Sequence, residues 1–407
     1  MRITLIAGQA KSFVNFRGPL IEELLSLGHR VSAIGPEATA DTLEWFSARG
    51  VDYHVVPLSR ASLNPVRDIR ALLAIRSALI TIQTQAVITF TIKAVIYGLL
   101  AARLAGVSRR FAMITGLGYA LIESAPSLKR GIVRQVALVL YRLSLTQAET
   151  VIFQNPDDLS AFRRLKVIGP RHRVGIVNGS GVDLEHFSPV PLPTDSICLM
   201  IARLLADKGV AEYLAAARQV KALRPHASFR LLGPADPNPA AFSPGLLNQA
   251  ILEGSVEYLG ETSDVRPAIA ASSIFVLPSY REGLPRSTLE AMAMGRPVIT
   301  TDTPGCRETV EAGVNGLLVP VKSISQLVEA MLRLIDNPGL RQRMGDAGRT
   351  LALSRFASRD VAKNVIDLLG LEGSGQKPGP TGRAYEPAEH NLLREKRSIG
   401  QGCRIGS

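Results

Sequence analysis

Cysteine is scarce and scattered: Cys198, Cys306 and Cys403 stand far apart in 407 residues, in no Cys-x-x-Cys or Cys/His pattern. That excludes a disulfide framework and a zinc ribbon and fits a reducing compartment. Aromatic residues make up 5% of the chain, and no basic stripe is interleaved with them. Neither an RNA-recognition nor a helix-turn-helix signature is present, so no nucleic-acid partner is expected. Long apolar runs are missing as well. The N-terminus MRITLIAGQAKSFVNF turns polar too soon for a signal-peptide core and reads as a buried first strand. The most apolar stretch, residues 86–107, is interrupted by Lys93 and Arg103, whereas a spanning helix needs about 20 mostly apolar residues. It reads as a strand followed by a helix, and a cytoplasmic protein is expected.

Nucleotide motifs that need a cofactor or a metal are absent too. The loop after the first strand, AGQAKSFVNFRGP, lacks the G-x-G-x-x-G spacing, and the second strand ends in Gly35-Pro36 rather than an acidic residue. NAD and FAD are therefore not expected. There is no P-loop, and no Asp-x-Asp to hold a metal–nucleotide complex. No cofactor and no metal are expected, so chemistry on an anionic group must draw its positive charge from side chains.

What is present is a well-buried globular chain, 46% apolar and 20% charged, with a net charge of +12. Residues 1–189 carry 22 Lys and Arg against 13 Asp and Glu, and residues 190–407 carry 25 against 22. The excess thus lies in the N-terminal half. An anionic membrane surface is the expected partner of that half, since a basic residue near such a surface is worth about 1 kcal/mol. In SLKRGIVRQVALVLYRLSL (127–145), Lys129, Arg130, Arg134 and Arg142 punctuate Ile132, Val133, Val136, Leu140 and Leu143. That spacing describes either a basic amphipathic helix for a membrane interface or a domain-surface helix with solvated arginines.

Short apolar runs alternate with helical patterns from Arg2 onward, the rhythm of βαβ units and a parallel sheet. The rhythm restarts at SICLMIARL (196–204), after the proline-rich HFSPVPLPTDS. The fold class is therefore α/β: two Rossmann-like, doubly wound domains facing across a cleft. Their expected bounds are 1–189 and 190–355. A helix follows over 356–372, possible to cross back to the first domain, and then a basic, disordered tail over 373–407.

One stretch carries chemistry. SYREGLPRSTLEAMAMGRPVITTDTPG (279–305) holds Glu282 and Glu290, separated by seven residues, around a Gly-Leu-Pro turn. Pro285 suits a first helical position and Gly295 a helix end. Free amides around Gly283 to Ser287 would form an anion site at the helix start. If the helical path is continuous, eight residues turn through roughly 80°, so both carboxylates can face one crevice. Upstream, in IARLLADKG, Arg203 closes a strand and Lys208 follows in the next loop. Two cations at the carboxyl ends of parallel strands suit a diphosphate, although on spacing alone both are ordinary surface residues.

With Glu-Gly-Leu-Pro and its second Glu, AMAMGRPVITTDTPGCRETVEAGVNGLLVP and ARLLADKG, the chain resembles the retaining glycosyltransferases of the GT-B fold, sequence family 4. The resemblance runs in order over residues 1 to about 370. It implies that Glu290 binds the ribose hydroxyls of a nucleotide-sugar donor and that Arg203 and Lys208 hold its diphosphate. Glu282 would contact the transferred sugar, with Gly283, Leu284, Pro285, Ser287 and Gly233 completing the donor side. KSFVNFRGPLIEELLSLGH, TFTIKAVIYG and MITGLGYALI resemble the branch that builds cell-surface polysaccharides and lipid-linked oligosaccharides. That branch implies a UDP-sugar, often of a hexose or N-acetylhexosamine, a polyprenyl-diphosphate-linked acceptor, and work on the inner face of the plasma membrane. Lys11, Asn15, Arg17 and Lys93 are then acceptor-side or interdomain candidates. Several relatives place a histidine near the sugar, after the fourth strand of the first domain. Here the corresponding loop, TGLGYA, has none, which leaves Thr115 or Tyr119 in that space. Two rivals share the architecture: a UDP-sugar epimerase, and a catalytically silent membrane-associated partner of an assembly complex.

Overall fold

The computed structural model describes residues 1–58, 64–117, 128–235 and 242–372, with the backbone alone at 128–130. Tyr119, Cys403 and the tail from Gly373 lie outside the described residues.

The first sheet contains β1 (Arg2–Ala7), β2 (Arg30–Gly35), β3 (Asp52–Val55), β4 (Ala86–Phe90), β5 (Arg109–Ile114), β6 (Thr150–Phe153) and β7 (Arg173–Ile176). All pair in parallel, in the order β3-β2-β1-β4-β5-β6-β7. Between the strands run α1 (Lys11–Ser26), α2 (Ala40–Ser47), α3 (Pro65–Ile82), α4 (Ile92–Leu104), α5 (Leu128–Leu145) and α6 (Pro156–Arg164). β4 and β6 are buried along their whole length, which is why they read as unbroken apolar runs rather than alternating ones.

The second sheet contains β8 (Ile197–Ile201), β9 (Ser228–Leu232), β10 (Glu257–Tyr258), β11 (Ile274–Leu277), β12 (Val298–Thr301) and β13 (Gly316–Val319). It is also parallel, in the order β10-β9-β8-β11-β12-β13. Its helices are α7 (Val210–Leu223), α8 (Pro244–Leu252), α9 (Arg266–Ala270), α10 (Arg286–Ala293), α11 (Ile324–Ile335) and α12 (Pro338–Arg355). The last helix, α13 (Ser358–Leu369), leaves this domain and packs on α1.

Each sheet changes its winding direction beside its first strand, between β1 and β4 and between β8 and β11. At such switch points the loops diverge and open a crevice. Three helices start on Asn-Pro: the side chains of Asn64, Asn155 and Asn337 accept the amides of Val66, Asp158 and Leu340, and a proline takes the first turn.

The chain crosses between domains twice, and the crossings touch. Val182 N–H donates to Phe356 O at 2.8 Å, and Ser358 N–H to Val182 O at 3.0 Å. Gly181 sits at φ +67°, and a Cβ there would lie 2.6 Å from Ser358 Cα, so only glycine lets the strands of the hinge approach. Beyond the hinge, Val361, Ala362, Val365, Ile366 and Leu369 of α13 share one core with Phe13, Ile21 and Leu24 of α1. Arg109 fastens the end of α13 by donating to the carbonyls of Leu369 and Gly370, each at 2.7 Å. Fully buried Arg296, between α10 and β12, holds the linker by donating to the carbonyls of Val190 and Pro191, and it also donates to those of Ile269, Ala270 and Met294.

Candidate active site

The crevice of the second domain lies between the loops after β8 and β11. Arg203, half-buried, follows β8 by two residues, and Lys208 ends a single 3-10 turn, Ala206–Lys208. The loop after β11 brings Glu282 to it: Lys208 Nζ is 2.5 Å from Glu282 Oε1, and both side chains are 15% exposed. Ser279 Oγ donates to the same oxygen at 2.9 Å. Backbone bonds fix both loops, Tyr280 N–H to Asp207 O at 2.8 Å and Glu282 N–H to Pro304 O at 3.0 Å. A charge-assisted bond of this kind in a partly buried crevice holds its members in one geometry.

α10 begins at Arg286, with Pro285 as the N-cap residue and no side-chain cap. The first-turn amides therefore remain open to an anion. Ser287 Oγ ties this turn to β8 by donating to Ile201 O at 3.1 Å. Glu290 lies one turn in, 8% exposed, with Arg286 Nε at 2.7 Å from its Oε1. Burial pushes its carboxyl above the usual glutamate range, and Arg286 pulls it part of the way back. The rotation estimate for the two glutamates does not apply, because residues 279–285 form a loop and not a helix. Each glutamate instead has its own cation.

Gly233 follows β9 at φ +146°, where a Cβ would lie 1.9 Å from Ala202 O. Its N–H donates to Gly260 O and its carbonyl accepts from Tyr258, so its polar groups are used within the domain. Gly283 and Leu284 touch the first domain. A Cβ on Gly283 would lie 2.4 Å from Thr115 O, and one on Gly179 would lie 2.7 Å from Leu284 Cδ2.

The first-domain candidates are spread out. Lys11 and Asn15 are exposed on α1. Arg17 is 7% exposed, with its guanidinium 4.4 Å from the centroid of the Phe90 ring, and burial lowers its pKa to about 9. Lys93 is engaged within its own domain, 2.6 Å from Asp68 of α3, which Tyr97 also contacts at 2.9 Å. Thr115 meets the loop that carries Glu282 through its backbone carbonyl. The TGLGYA loop follows β5 and not the fourth strand. Among the described residues no group of three or more His, Cys, Asp and Glu is placed to hold a metal.

Sequence reasoning missed a second set of residues. Asn155 Nδ2 donates to Gly283 O at 2.7 Å, Arg281 pairs with Asp158, and Arg307 lies 3.0 Å from Asp157. Asn-Pro-Asp-Asp (155–158) has the residue types of a helix start, but nothing in one chain's spacing says that it faces another domain.

Three comparisons with known proteins agree with this architecture. Residues 17–179 match the model of the glycosyl transferase 4-like domain, and residues 183–351 that of glycosyl transferases group 1. Over 382 residues, 90% of this chain and 98% of the other, the sequence is 31% identical to the N,N'-diacetylbacillosaminyl-diphospho-undecaprenol alpha-1,3-N-acetylgalactosaminyltransferase of Campylobacter jejuni. Among solved structures, sucrose-phosphate synthase of Thermosynechococcus elongatus superposes with a TM-score of 0.75 at 21% identity, covering 91% of this chain and 98% of that one. HepE of Anabaena, crystallised with UDP-glucose, gives 0.72 at 18% identity over 91% of this chain and 100% of that one. Two facing doubly wound sheets, a Lys–Glu pair at the second switch point and a family match over both domains lead to one conclusion: the chain belongs to the family 4 glycosyltransferases and has the GT-B fold.

Proposed function

We propose that this enzyme transfers a hexose or N-acetylhexosamine from a UDP-sugar to a saccharide on a polyprenyl diphosphate, with retention of configuration. The observation that carries the reading is the Lys208–Glu282 pair at the switch point, beside Arg203 and the uncapped start of α10. There, developing charge on a leaving diphosphate meets fixed cations and amides, and Glu290 offers an acceptor to ribose hydroxyls. The Campylobacter relative is named for an α-linked transfer onto a diphospho-undecaprenol acceptor, which supports the acceptor class. The leaving phosphate takes the acceptor's proton, since among the described residues of the first domain none is placed as a base beside Glu282. With Arg203 and Lys208 supplying the charge, no metal is needed, and chelator leaves the rate unchanged.

A membrane face accompanies this reading. Among the described residues no helix is long and apolar enough to cross a membrane. On α5, however, Ile132, Val136, Val139 and Leu143 are 48–58% exposed along one stripe, and on α3 Val66, Ile69, Leu73 and Ile80 are 47–58% exposed. α4 packs between the two helices, so both stripes belong to one side of the sheet. Arg67, Arg70 and Arg76 border the α3 stripe. Such a surface suits the anionic inner leaflet, where the lipid acceptor would lie.

The deciding experiment supplies labelled UDP-sugars with and without polyprenyl-diphosphate acceptors. Label passing into the lipid fraction supports the proposal. Epimerised donor without lipid, or no turnover at all, points to the two rivals and overturns it.

A further inference from the structure

The loop that carries Glu282 alternates sides. Glu282 faces Lys208 and Ser279 of its own domain, while its two neighbours are gripped by the other one. Arg281 pairs with Asp158, and the Gly283 carbonyl accepts from Asn155 at 2.7 Å. With the residues on either side of Glu282 held by the first domain and its own N–H held by Pro304 O, the backbone at 282 has little freedom left, and this limits the directions its side chain can take. The grip itself is rigid. Asn155 and Asp158 are fully buried, Asn155 Oδ1 caps α6 by accepting Asp158 N–H at 2.7 Å, and Asn155 Nδ2 also lies 3.1 Å from Asp158 Oδ2. An outer pair reinforces it: Arg307, 39% exposed, lies 3.0 Å from Asp157 and 2.7 Å from Asp302.

We infer that the first turn of α6, through Asn155 and Asp158, positions Glu282 for transfer, so that closing the first domain onto the second aims the carboxylate. Asn155 and Asp158 are positioning residues and touch no substrate. The inference rests on the assignment of Glu282 to the transferred sugar. It makes transfer depend on domain closure while nucleotide binding, held within the second domain, does not.

The test uses the full chain and Asn155→Ser, because serine caps a helix nearly as well as asparagine but is too short to reach the Gly283 carbonyl. Arg307→Ala weakens the exposed outer pair without touching the buried one. Asn155→Ser is expected to melt several degrees below wild type but to remain folded at the assay temperature and bind UDP within about twofold of it, while kcat falls tenfold or more. Arg307→Ala loses two- to threefold. Small-angle scattering reads closure without activity: wild type contracts on adding UDP-sugar, and Asn155→Ser contracts less. Unchanged kcat in Asn155→Ser overturns the inference, and so does a parallel loss of UDP binding. If wild type transfers nothing to lipid diphosphates, the proposed acceptor falls, while the scattering result still decides whether α6 governs closure.

Discussion

In the proposed reading Glu290 is a ribose ligand, and it accepts hydroxyls on both oxygens only when ionised, yet burial raises its pKa above 4.5 despite Arg286. Nucleotide affinity is therefore expected to fall with falling pH, beginning at a higher pH than an ordinary glutamate would give. Calorimetric titration with UDP between pH 4 and 8 measures this, and Glu290→Gln binds more weakly and without that dependence. The stability sign runs the other way: the folded state holds this proton more tightly, so the contribution is full below 4.5 and is lost as pH rises through the raised value. Lys208→Ala and Arg203→Ala are each expected to lower kcat about a hundredfold, as loss of one donor to a developing anion does. Steady-state rates of the two variants check it, and near-normal turnover in both would move the diphosphate elsewhere. The placement of Glu282, Glu290, Arg203 and Lys208 was legible because a local motif sets them just after strand ends and at a helix start. Arg281 and Asn155 were not, since their partners Asp158 and Gly283 lie 123 and 128 positions away in the chain and only the docked domains bring them together.

Helices reveal their partners by what they leave uncovered. The α5 stripe was readable from its period, but the α3 stripe was not singled out, because PVRDIRALLAIRSALITI interleaves exposed and buried apolar residues on adjacent faces. Replacing Ile132, Val136 and Val139 with serine is expected to cut sedimentation with anionic vesicles severalfold. Burial of apolar area at about 25 cal/mol per Å² gives the main attraction there. Adding Ile69→Ser and Leu73→Ser should lower it further, and turnover of a soluble acceptor analogue should be unchanged in both. Vesicle binding that survives all five substitutions would remove this face from the membrane.

The two doubly wound domains could be read from the alternation of strand and helix patterns, since parallel strands are buried on both sides and leave unbroken apolar runs. What fastens the linker to the second domain could not be read. Arg296 sits in the ordinary-looking GRPVI stretch, yet its guanidinium satisfies carbonyls from the linker and from α9. Arg296→Met leaves those acceptors buried and unpaired, so a loss of about 3 kcal/mol or more is expected, which in domains of this size lowers Tm by roughly 6 °C or more. Calorimetry of the variant decides it, and an unchanged Tm would make the residue incidental. The return of α13 to α1 has a consequence in the order of synthesis. The first domain's core includes Val361, Val365 and Ile366, so a nascent chain that has finished β7 still lacks part of its interior. At roughly 5–20 residues per second, the ~190 residues from β7 to the end of α13 occupy the ribosome for about 10–40 s. During that interval Phe13, Ile21 and Leu24 have no partner from α13, and the growing chain presents a surface that a chaperone would recognise.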